Sequence, residues 1–183
     1  MTDAPYPLTA DRSLRPAVAS DAPALADALL RSRTYMAPFE PVRPDSFYTP
    51  EGQAERLAGH LAAGGHAWVA ADEEDRAVAS FTLSGVALGA FRSAVFGYWV
   101  SVEQAGRGIA TAAVRRICEL ARDDLGLHRV EAGVLLYNTA SQRVLEKSGF
   151  EEFGLAPDFL YIDGEWRDHR LFQRILHDEP PLL

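Results

Sequence analysis

The feature that most constrains this chain is a strand that breaks into a glycine-containing turn and then continues as a helix. Residues 98–111 read YWVSVEQAGRGIAT, with glycines at Gly106 and Gly108. The first N–H groups of a helix have no partner inside it, and small residues in the turn leave the space before them open. Because the helix dipole also favours negative charge there, the segment predicts a site for a phosphate-bearing cofactor.

Length and composition limit the class of protein. The 183 residues, 48% of them hydrophobic, suit one domain and leave no room for a second. A net charge of −8 without a Lys/Arg cluster disfavours nucleic-acid binding and favours an amine or other small cationic partner. Cys118 is the single cysteine, so no internal disulfide or cysteine metal cluster can form. The histidines show no HExxH spacing, and we expect no metal.

The N-terminal residues and the hydropathy pattern predict a compartment. MTDAPYPLTADRS contains acidic residues and prolines, where a secretory signal needs a basic start and an apolar run. No apolar stretch approaches the roughly 20 residues of a membrane span. We therefore expect a cytoplasmic protein without membrane association, either a monomer or a homodimer.

The order of predicted elements indicates a single α/β domain over residues 13–176, with a flexible N-terminus at 1–12 and a tail at 177–183. Strands are predicted at 14–18, 66–71, 77–83, 94–101, 130–136, 150–154 and 170–175. Helices are predicted after a cap at Ser20 or Asp21, and at 50–63, 110–125 and 139–148. A proline-containing loop with aromatic anchors spans 35–50. The result is a mixed, twisted sheet of about six or seven strands flanked by about four helices.

Two common phosphate sites do not fit the glycine turn. A nucleoside-triphosphate loop needs Gly-Lys followed by Ser or Thr, and the chain contains no Gly-Lys pair. A dinucleotide site needs a third glycine, where this turn has Thr111, and an acidic residue at the end of the next strand, where the chain has Leu135 and Leu136.

A second cluster makes the interpretation specific. NTASQRVLEKSGF (138–150), together with VSVEQAGRGIAT (100–111), resembles the acetyl-CoA site of the GNAT superfamily of N-acetyltransferases. IDGEWRDHRLF (162–172) resembles the ribosomal-protein N-terminal alanine acetyltransferases of RimJ/RimL type, and FEPVRPDSFYTPEG (39–52) favours the RimJ branch. The resemblance covers residues 14–175 and implies the GNAT fold, whose central pair of strands is splayed apart.

The resemblance implies a cofactor site built mainly from backbone groups. Val100 and Val102 would pair with the pantetheine arm of acetyl-CoA, and Asn138 would hydrogen-bond the cofactor. The family turn usually starts with Arg or Gln, where this chain has Ala105, so Arg107 is the expected substitute. The turn residues implied to hold the pyrophosphate are Gly106, Arg107, Gly108, Ile109, Ala110 and Thr111.

The catalytic residues are harder to assign. Ser141 lies one helical turn after Asn138, and we expect it to protonate the departing thiolate. Both residue types are also good helix caps, which is the structural alternative. The central strand carries no carboxylate or histidine, so Glu40 is the candidate for holding the substrate ammonium or taking its proton through water, unless it is simply a solvated loop residue. We expect Cys118 to be a core thiol and no covalent enzyme intermediate to form.

Three functions stay open at this point. The first is acetylation of a protein N-terminal α-amine, for example that of a ribosomal protein; the second is acetylation of a small amine such as a polyamine, amino acid or drug. The third is a non-catalytic acyl-CoA-binding regulator. An α-amine with a pKa near 8 is roughly one-tenth neutral at pH 7, whereas a lysine amine is less than about one-thousandth neutral. Because the central strand carries no obvious general base, an acceptor that is already partly neutral is favoured, and that acceptor is the α-amine.

Overall fold

In a computed structural model that describes residues 5–180, eight strands form one continuous sheet and four α-helices pack against it. The strands are β1 (Tyr6–Thr9), β2 (Arg12–Pro16), β3 (His66–Ala71), β4 (Ala77–Ala87), β5 (Ser93–Val100), β6 (Arg129–Leu135), β7 (Glu151–Ile162) and β8 (Glu165–Ile175). The helices are α1 (Ala22–Met36), α2 (Pro50–Ala62), α3 (Ile109–Asp123) and α4 (Thr139–Lys147). The predicted α/β class and the four helices are confirmed.

The strands lie in the order β1-β2-β3-β4-β5-β6-β8-β7, and only β5 and β6 run parallel to each other. A parallel pair needs a crossover connection, and α3 supplies it. The glycine turn therefore lies at the carboxyl end of β5, in the middle of the sheet.

The strand count exceeds the predicted six or seven because the described chain starts with a hairpin. β1 pairs with β2, and β1 lies within the segment 1–12 predicted to be flexible, of which residues 1–4 are outside the described part. The Arg116 guanidinium lies 4.6 Å from the Tyr6 ring centroid, and Leu8 packs against the main core. These contacts explain why Tyr6–Thr9 is ordered although its sequence shows little periodicity.

The last two strands are longer than predicted. They form a hairpin around Asp163 and Gly164, which have φ angles of +52° and +79°, as expected for the tight turn that Asp-Gly favours. Asp168 accepts a hydrogen bond from the Asp158 N–H at 2.9 Å, while Arg167 and Arg170 form ion pairs with other carboxylates. Asp168 therefore orients the hairpin rather than forming a local salt bridge.

Two hydrophobic clusters lie on opposite faces of the sheet. Successive side chains of β3 belong to different clusters, because they lie on opposite faces of the strand. Trp68 belongs to the cluster that contains residues of α3 and α4, and Val69 belongs to the cluster that contains residues of α1 and α2. Thr49 caps α2 by accepting a hydrogen bond from the Gly52 N–H at 3.1 Å. Within the described residues, no helix is both long and apolar enough to cross a membrane.

Candidate active site

The central strands separate toward the carboxyl end of the sheet. β5 and β6 are paired only from Ser93–Arg129 to Val95–Glu131, although β5 continues to Val100. The Ser101 N–H donates to the Val78 carbonyl, so the alternation of an extended strand turns the Val100 N–H to the other side, toward the gap. The predicted splay is confirmed, and it leaves open backbone groups beside the glycine turn.

The turn ends in a helix start with unpaired donors. Gly106 and Gly108 have φ angles of +75° and +80°, a region that glycine occupies without a steric cost. Gly108 is the N-cap of α3, and the first bonded N–H beyond it is that of Ala112, which donates to the Gly108 carbonyl at 3.0 Å. Among the residues described, the N–H groups of 109–111 have no acceptor. The turn therefore presents an anion site.

A cavity of about 560 Å³ joins this turn to the aromatic loop. Its walls are residues 104–111, strand residues 97–100, the exposed face of α4, part of the loop between α1 and α2, and Arg56 from α2. Its charged lining residues are Arg43, Arg56, Arg107, Arg143 and Lys147, with Glu40 as the single acid. In a chain with a net charge of −8, this concentration of positive charge indicates an anionic ligand.

Two features of the residues that line the cavity suit coenzyme A. The unpaired N–H groups of α3 suit a pyrophosphate, and Arg107, Arg143 and Lys147 add cations on the turn and on α4. The splayed strand supplies amide groups for an amide-containing arm. Ala105 lines the cavity without a polar side chain, while Gln104 accepts a hydrogen bond from Arg12 at 3.2 Å.

Ser141 and Tyr98 form a hydroxyl pair in the wall of the cavity. Their side-chain oxygens lie 2.7 Å apart. The rings of Phe81 and Phe96 pack around Tyr98, and burial raises the pKa of the Tyr98 hydroxyl to about 12. Tyr98 therefore stays protonated at neutral pH and holds Ser141 through a bond between two neutral hydroxyls.

Asn138 caps α4, since its Oδ1 accepts from the Ser141 N–H at 3.1 Å. The capping interpretation of Asn138 is thus confirmed. The side chain also lines the cavity, and its amide nitrogen keeps donors for a ligand, so cofactor binding by Asn138 stays a prediction.

Val102 differs from its predicted role. It is absent from the cavity wall, its N–H donates to the Ser32 hydroxyl at 3.0 Å, and its carbonyl accepts from Ala105. The reason is that β5 ends at Val100 and residues 102–104 form a 3₁₀ turn. Both backbone groups of Val102 are engaged, which leaves Val100 as the valine that faces the gap.

Glu40 lies half-buried in the cavity wall, rather than in solvent. Burial raises the pKa of its carboxyl, and the nearby Arg43 and Arg56 partly oppose that shift. The loop that carries Glu40 is fixed to the rest of the site, because the Tyr137 hydroxyl donates to the Pro38 carbonyl at 2.8 Å and the Phe39 and Tyr137 rings pack together.

Among the cavity residues that sequence reasoning missed are Arg43, Arg56, Tyr98, Arg143 and Lys147. Tyr98 reads as a core aromatic within an apolar strand, and Arg56 lies on a helix that is remote in sequence from the two cofactor motifs at 100–111 and 138–150. Arg143 and Lys147 carry a signal that was available, because cations four residues apart share one helix face.

Two further groups bear on the chemistry. Cys118 is 1% exposed and burial raises its pKa to about 11, so it is a core thiol, as predicted. Within residues 5–180, no three His, Cys, Asp or Glu side chains are close enough to hold a metal ion.

The splayed strands, the anion-binding turn and the cationic cavity define an α/β acyltransferase that uses coenzyme A thioesters. Residues 12–151 match the family described as Acetyltransferase (GNAT) domain. The chain belongs to this family and is an N-acetyltransferase.

Proteins similar to this chain in sequence or in structure are also named as acetyltransferases or as RimJ. It is 33% identical to the probable N-acetyltransferase YjcK of Bacillus subtilis (strain 168), over 91% of this chain and 94% of that protein. The ribosomal-protein-S5-alanine acetyltransferase of Vibrio fischeri superposes with a TM-score of 0.91 at 30% identity, covering 98% of this chain and 100% of the other. Mycobacterium smegmatis RimJ in complex with CoA-disulfide superposes with a TM-score of 0.84 at 33% identity, over 90% and 81% of the two chains. These neighbours support acetyl-CoA as the cosubstrate.

Proposed function

We propose that this enzyme transfers the acetyl group of acetyl-CoA to the N-terminal α-amine of a protein, such as a ribosomal protein. The observation that carries the proposal is a continuous cavity whose lining includes the glycine turn, the Tyr98–Ser141 hydroxyl pair and Glu40. The Vibrio fischeri neighbour, named for the alanine of a ribosomal protein, supports the same acceptor class.

The cosubstrate end of the cavity follows from the donor set. Gly106, Gly108 and the N–H groups of Ile109, Ala110 and Thr111 bind the pyrophosphate. Arg107 and the cations of α4 add charge-assisted hydrogen bonds. The open backbone of Val100 pairs with the pantetheine amides, and Asn138 contributes its amide nitrogen.

The chemical step needs a neutral amine, an oxyanion donor and a proton for the leaving thiolate. The amine attacks the thioester carbonyl directly, and a backbone N–H of β5 stabilises the oxyanion. Ser141 then donates its proton to the thiolate. Tyr98 keeps the Ser141 hydroxyl in place and passes its own proton to Ser141, and the proton that the acetylated nitrogen releases then restores Tyr98 through water.

Glu40 holds the acceptor ammonium and receives its proton, directly or through water. Because burial raises the pKa of Glu40, this carboxylate is a better base than a solvated glutamate. The α-amine of a protein is also the primary amine that loses a proton most readily near pH 7.

The same cavity argues against a polyamine as the acceptor. A polyamine carries several positive charges, whereas the acceptor end presents Arg43 and Arg56 against a single carboxylate. Repulsion between these guanidinium groups and the positive charges of a polyamine disfavours its binding. A cytoplasmic location, action on a ribosomal protein and the choice between monomer and homodimer stay predictions.

Acceptor profiling tests the proposal. Release of coenzyme A thiol would be followed with acetyl-CoA and three acceptors: a peptide that starts with alanine, the same peptide acetylated at its N-terminus, and spermidine. We expect turnover with the free peptide alone. Turnover with spermidine and none with the peptide would contradict the proposed acceptor.

A further inference from the structure

The acceptor end of the cavity carries more positive charge than an amine-binding site needs. Arg43 and Arg56 line the cavity beside Glu40, and both act electrostatically on its carboxylate. A substrate ammonium is itself a cation, so two guanidinium groups oppose its binding unless the substrate also brings a negative charge.

Arg56 is held in a fixed position by a buried amide. Its Nε donates to Oε1 of Gln53 at 3.0 Å, and Gln53 is fully buried. Gln53 is held in turn, because its Nε2 donates to the Phe47 carbonyl at 2.5 Å. With Nε engaged, the two terminal nitrogens of Arg56 keep their donors for a ligand in the cavity.

Arg43 is ordered by a contact with Phe47, the residue whose carbonyl holds Gln53. Its guanidinium lies 4.9 Å from the centroid of the Phe47 ring, in a cation–π contact. Phe47 thus organises both arginines, one through its ring and the other through its carbonyl and Gln53. Two guanidinium groups fixed at one end of a cavity form a site for a carboxylate.

Neither arginine forms an ion pair with a carboxylate of the described residues, although Glu40 lies nearby. Arg33, on the neighbouring part of α1, forms an ion pair with Asp45 at 2.9 Å, and its guanidinium stacks on Tyr48. Among residues 5–180, neither Arg43 nor Arg56 has a carboxylate oxygen within 4.0 Å, although the chain has 26 acidic residues. The phosphates of coenzyme A are already served by the α3 start and Arg107, at the other end of the cavity.

We propose that Arg43 and Arg56 form a carboxylate subsite, so that the enzyme selects acceptors with a carboxylate close to the reacting amine. This proposal rests on the proposed function and names its substrate class: protein N-termini with Asp or Glu as the second or third residue. In an extended peptide the α-carbons of those residues lie about 4 and 7 Å along the chain from the α-carbon of the first residue. Glu40 takes the ammonium while the two arginines take the carboxylate.

Matched peptides test the subsite. Ala-Asp and Ala-Asn peptides that are otherwise identical would be compared by kcat/KM at low ionic strength. Binding of coenzyme A would show that the enzyme, and each enzyme variant described below, is folded. We expect the Asp peptide to be preferred about tenfold, as for one charge-assisted hydrogen-bonded pair, and the preference to decrease with added salt.

Variants assign that preference to the two arginines. Arg43→Gln, which changes an exposed side chain, is expected to reduce the Asp/Asn ratio, and Arg43→Gln with Arg56→Gln to abolish it. Arg122→Gln, on the exposed face of α3 and ion-paired with Asp123, removes one charge outside the cavity and is expected to leave the ratio unchanged. A ratio that persists in both Arg43→Gln and the double variant would overturn the subsite.

Free aspartate and alanine, added as acceptors, separate the possible outcomes. Equal kcat/KM for the Asp and Asn peptides in the unchanged enzyme would refute the subsite and leave the proposed function intact. Acetylation of free amino acids but of neither peptide, abolished by Arg43→Gln, would keep the subsite and refute the protein N-terminus. A protein that binds coenzyme A and acetylates none of these amines would refute both.

Discussion

The two ends of the cavity are built differently. The cosubstrate end uses backbone groups of β5 and α3, positioned by sheet pairing and by two glycines with positive φ. The end that we propose for the acceptor is lined by the side chains of Glu40, Arg43 and Arg56, which come from a loop and from α2. A backbone site depends on a few small residues, whereas a side-chain site can change its ligand without changing the fold. We therefore propose that the first end is common to the family and that the second end determines which acceptor this enzyme selects.

The largest effect is expected from a change at the backbone end. Gly108→Val adds a β-carbon at a φ of +80° and disturbs the helix start. Loss of two hydrogen bonds to a charged group would weaken coenzyme A binding by about 3 to 6 kcal/mol, two to four factors of ten in Kd. Calorimetry would measure this change.

A matched glycine controls for backbone strain. Gly89 lies between β4 and β5, has a φ of +69° and, like Gly108, leaves open space for a β-carbon. Gly89→Val is expected to lower stability to a similar degree and to leave the Kd of coenzyme A unchanged. Equal losses of affinity in the two variants would mean that the backbone end is not where the cosubstrate binds.

Ser141→Ala tests the proposed proton donor, which lies in the cavity wall between the two ends. If Ser141 protonates the thiolate, kcat is expected to fall about a hundredfold, at the lower end for general acid catalysis. The Kd of coenzyme A should change little, because Asn138 still caps α4 through a backbone donor. Steady-state kinetics together with calorimetry would separate the two quantities. An unchanged kcat would remove Ser141 from the mechanism.

Glu40→Gln tests the acceptor end through pH. The pKa of Glu40 lies above its ordinary value, so kcat/KM for the acceptor should fall as the pH decreases through that raised pKa, where the carboxylate becomes neutral. The variant should lack this limb and lose about tenfold in kcat/KM at neutral pH, as for one charge-assisted bond.

Stability provides an independent check of the same residue. Because the pKa of Glu40 is raised in the folded protein, its contribution to stability is present at low pH and is lost as the pH rises through the raised value. Glu40→Gln is therefore expected to unfold at higher denaturant concentration than the parent at pH 7. A lower midpoint would contradict the raised pKa.

Tyr98→Phe should have the smallest effect. It keeps the ring between Phe81 and Phe96 and removes the hydroxyl that holds Ser141. Loss of one neutral hydrogen bond predicts a decrease in kcat of about threefold to tenfold, with KM for both substrates nearly constant. If kcat falls as far as in Ser141→Ala, Tyr98 is itself the proton donor.

The glycine turn was predictable from the sequence for a physical reason. A turn between a strand and a helix is local, so residues 98–111 indicate the anion site by themselves, whereas the splayed strands were implied only by the resemblance to the GNAT superfamily. Val102 was misplaced because a 3₁₀ turn, not the strand, follows Val100. The hairpin of Tyr6–Thr9 was missed because Leu8 and Tyr6 are ordered by contacts with α3 and the core, which lie far away in sequence.

At the acceptor end, the meaning of a residue depends on what folding brings beside it. Glu40 was a reasonable candidate, but its half-buried position and raised pKa arise from burial in the cavity wall, where its loop contacts Tyr137. The role that we propose for Arg56 depends on α2, which places it near Arg43, and on Gln53, which holds its guanidinium. No motif within one segment could reveal this arrangement.

The most direct test of the central claim uses one peptide that contains both kinds of amine. An alanine-initiated peptide with an internal lysine would be incubated with acetyl-CoA, and mass spectrometric fragmentation would locate the acetyl group. The account predicts acetylation of the N-terminal α-amine alone. Acetylation of the lysine side chain alone would contradict it.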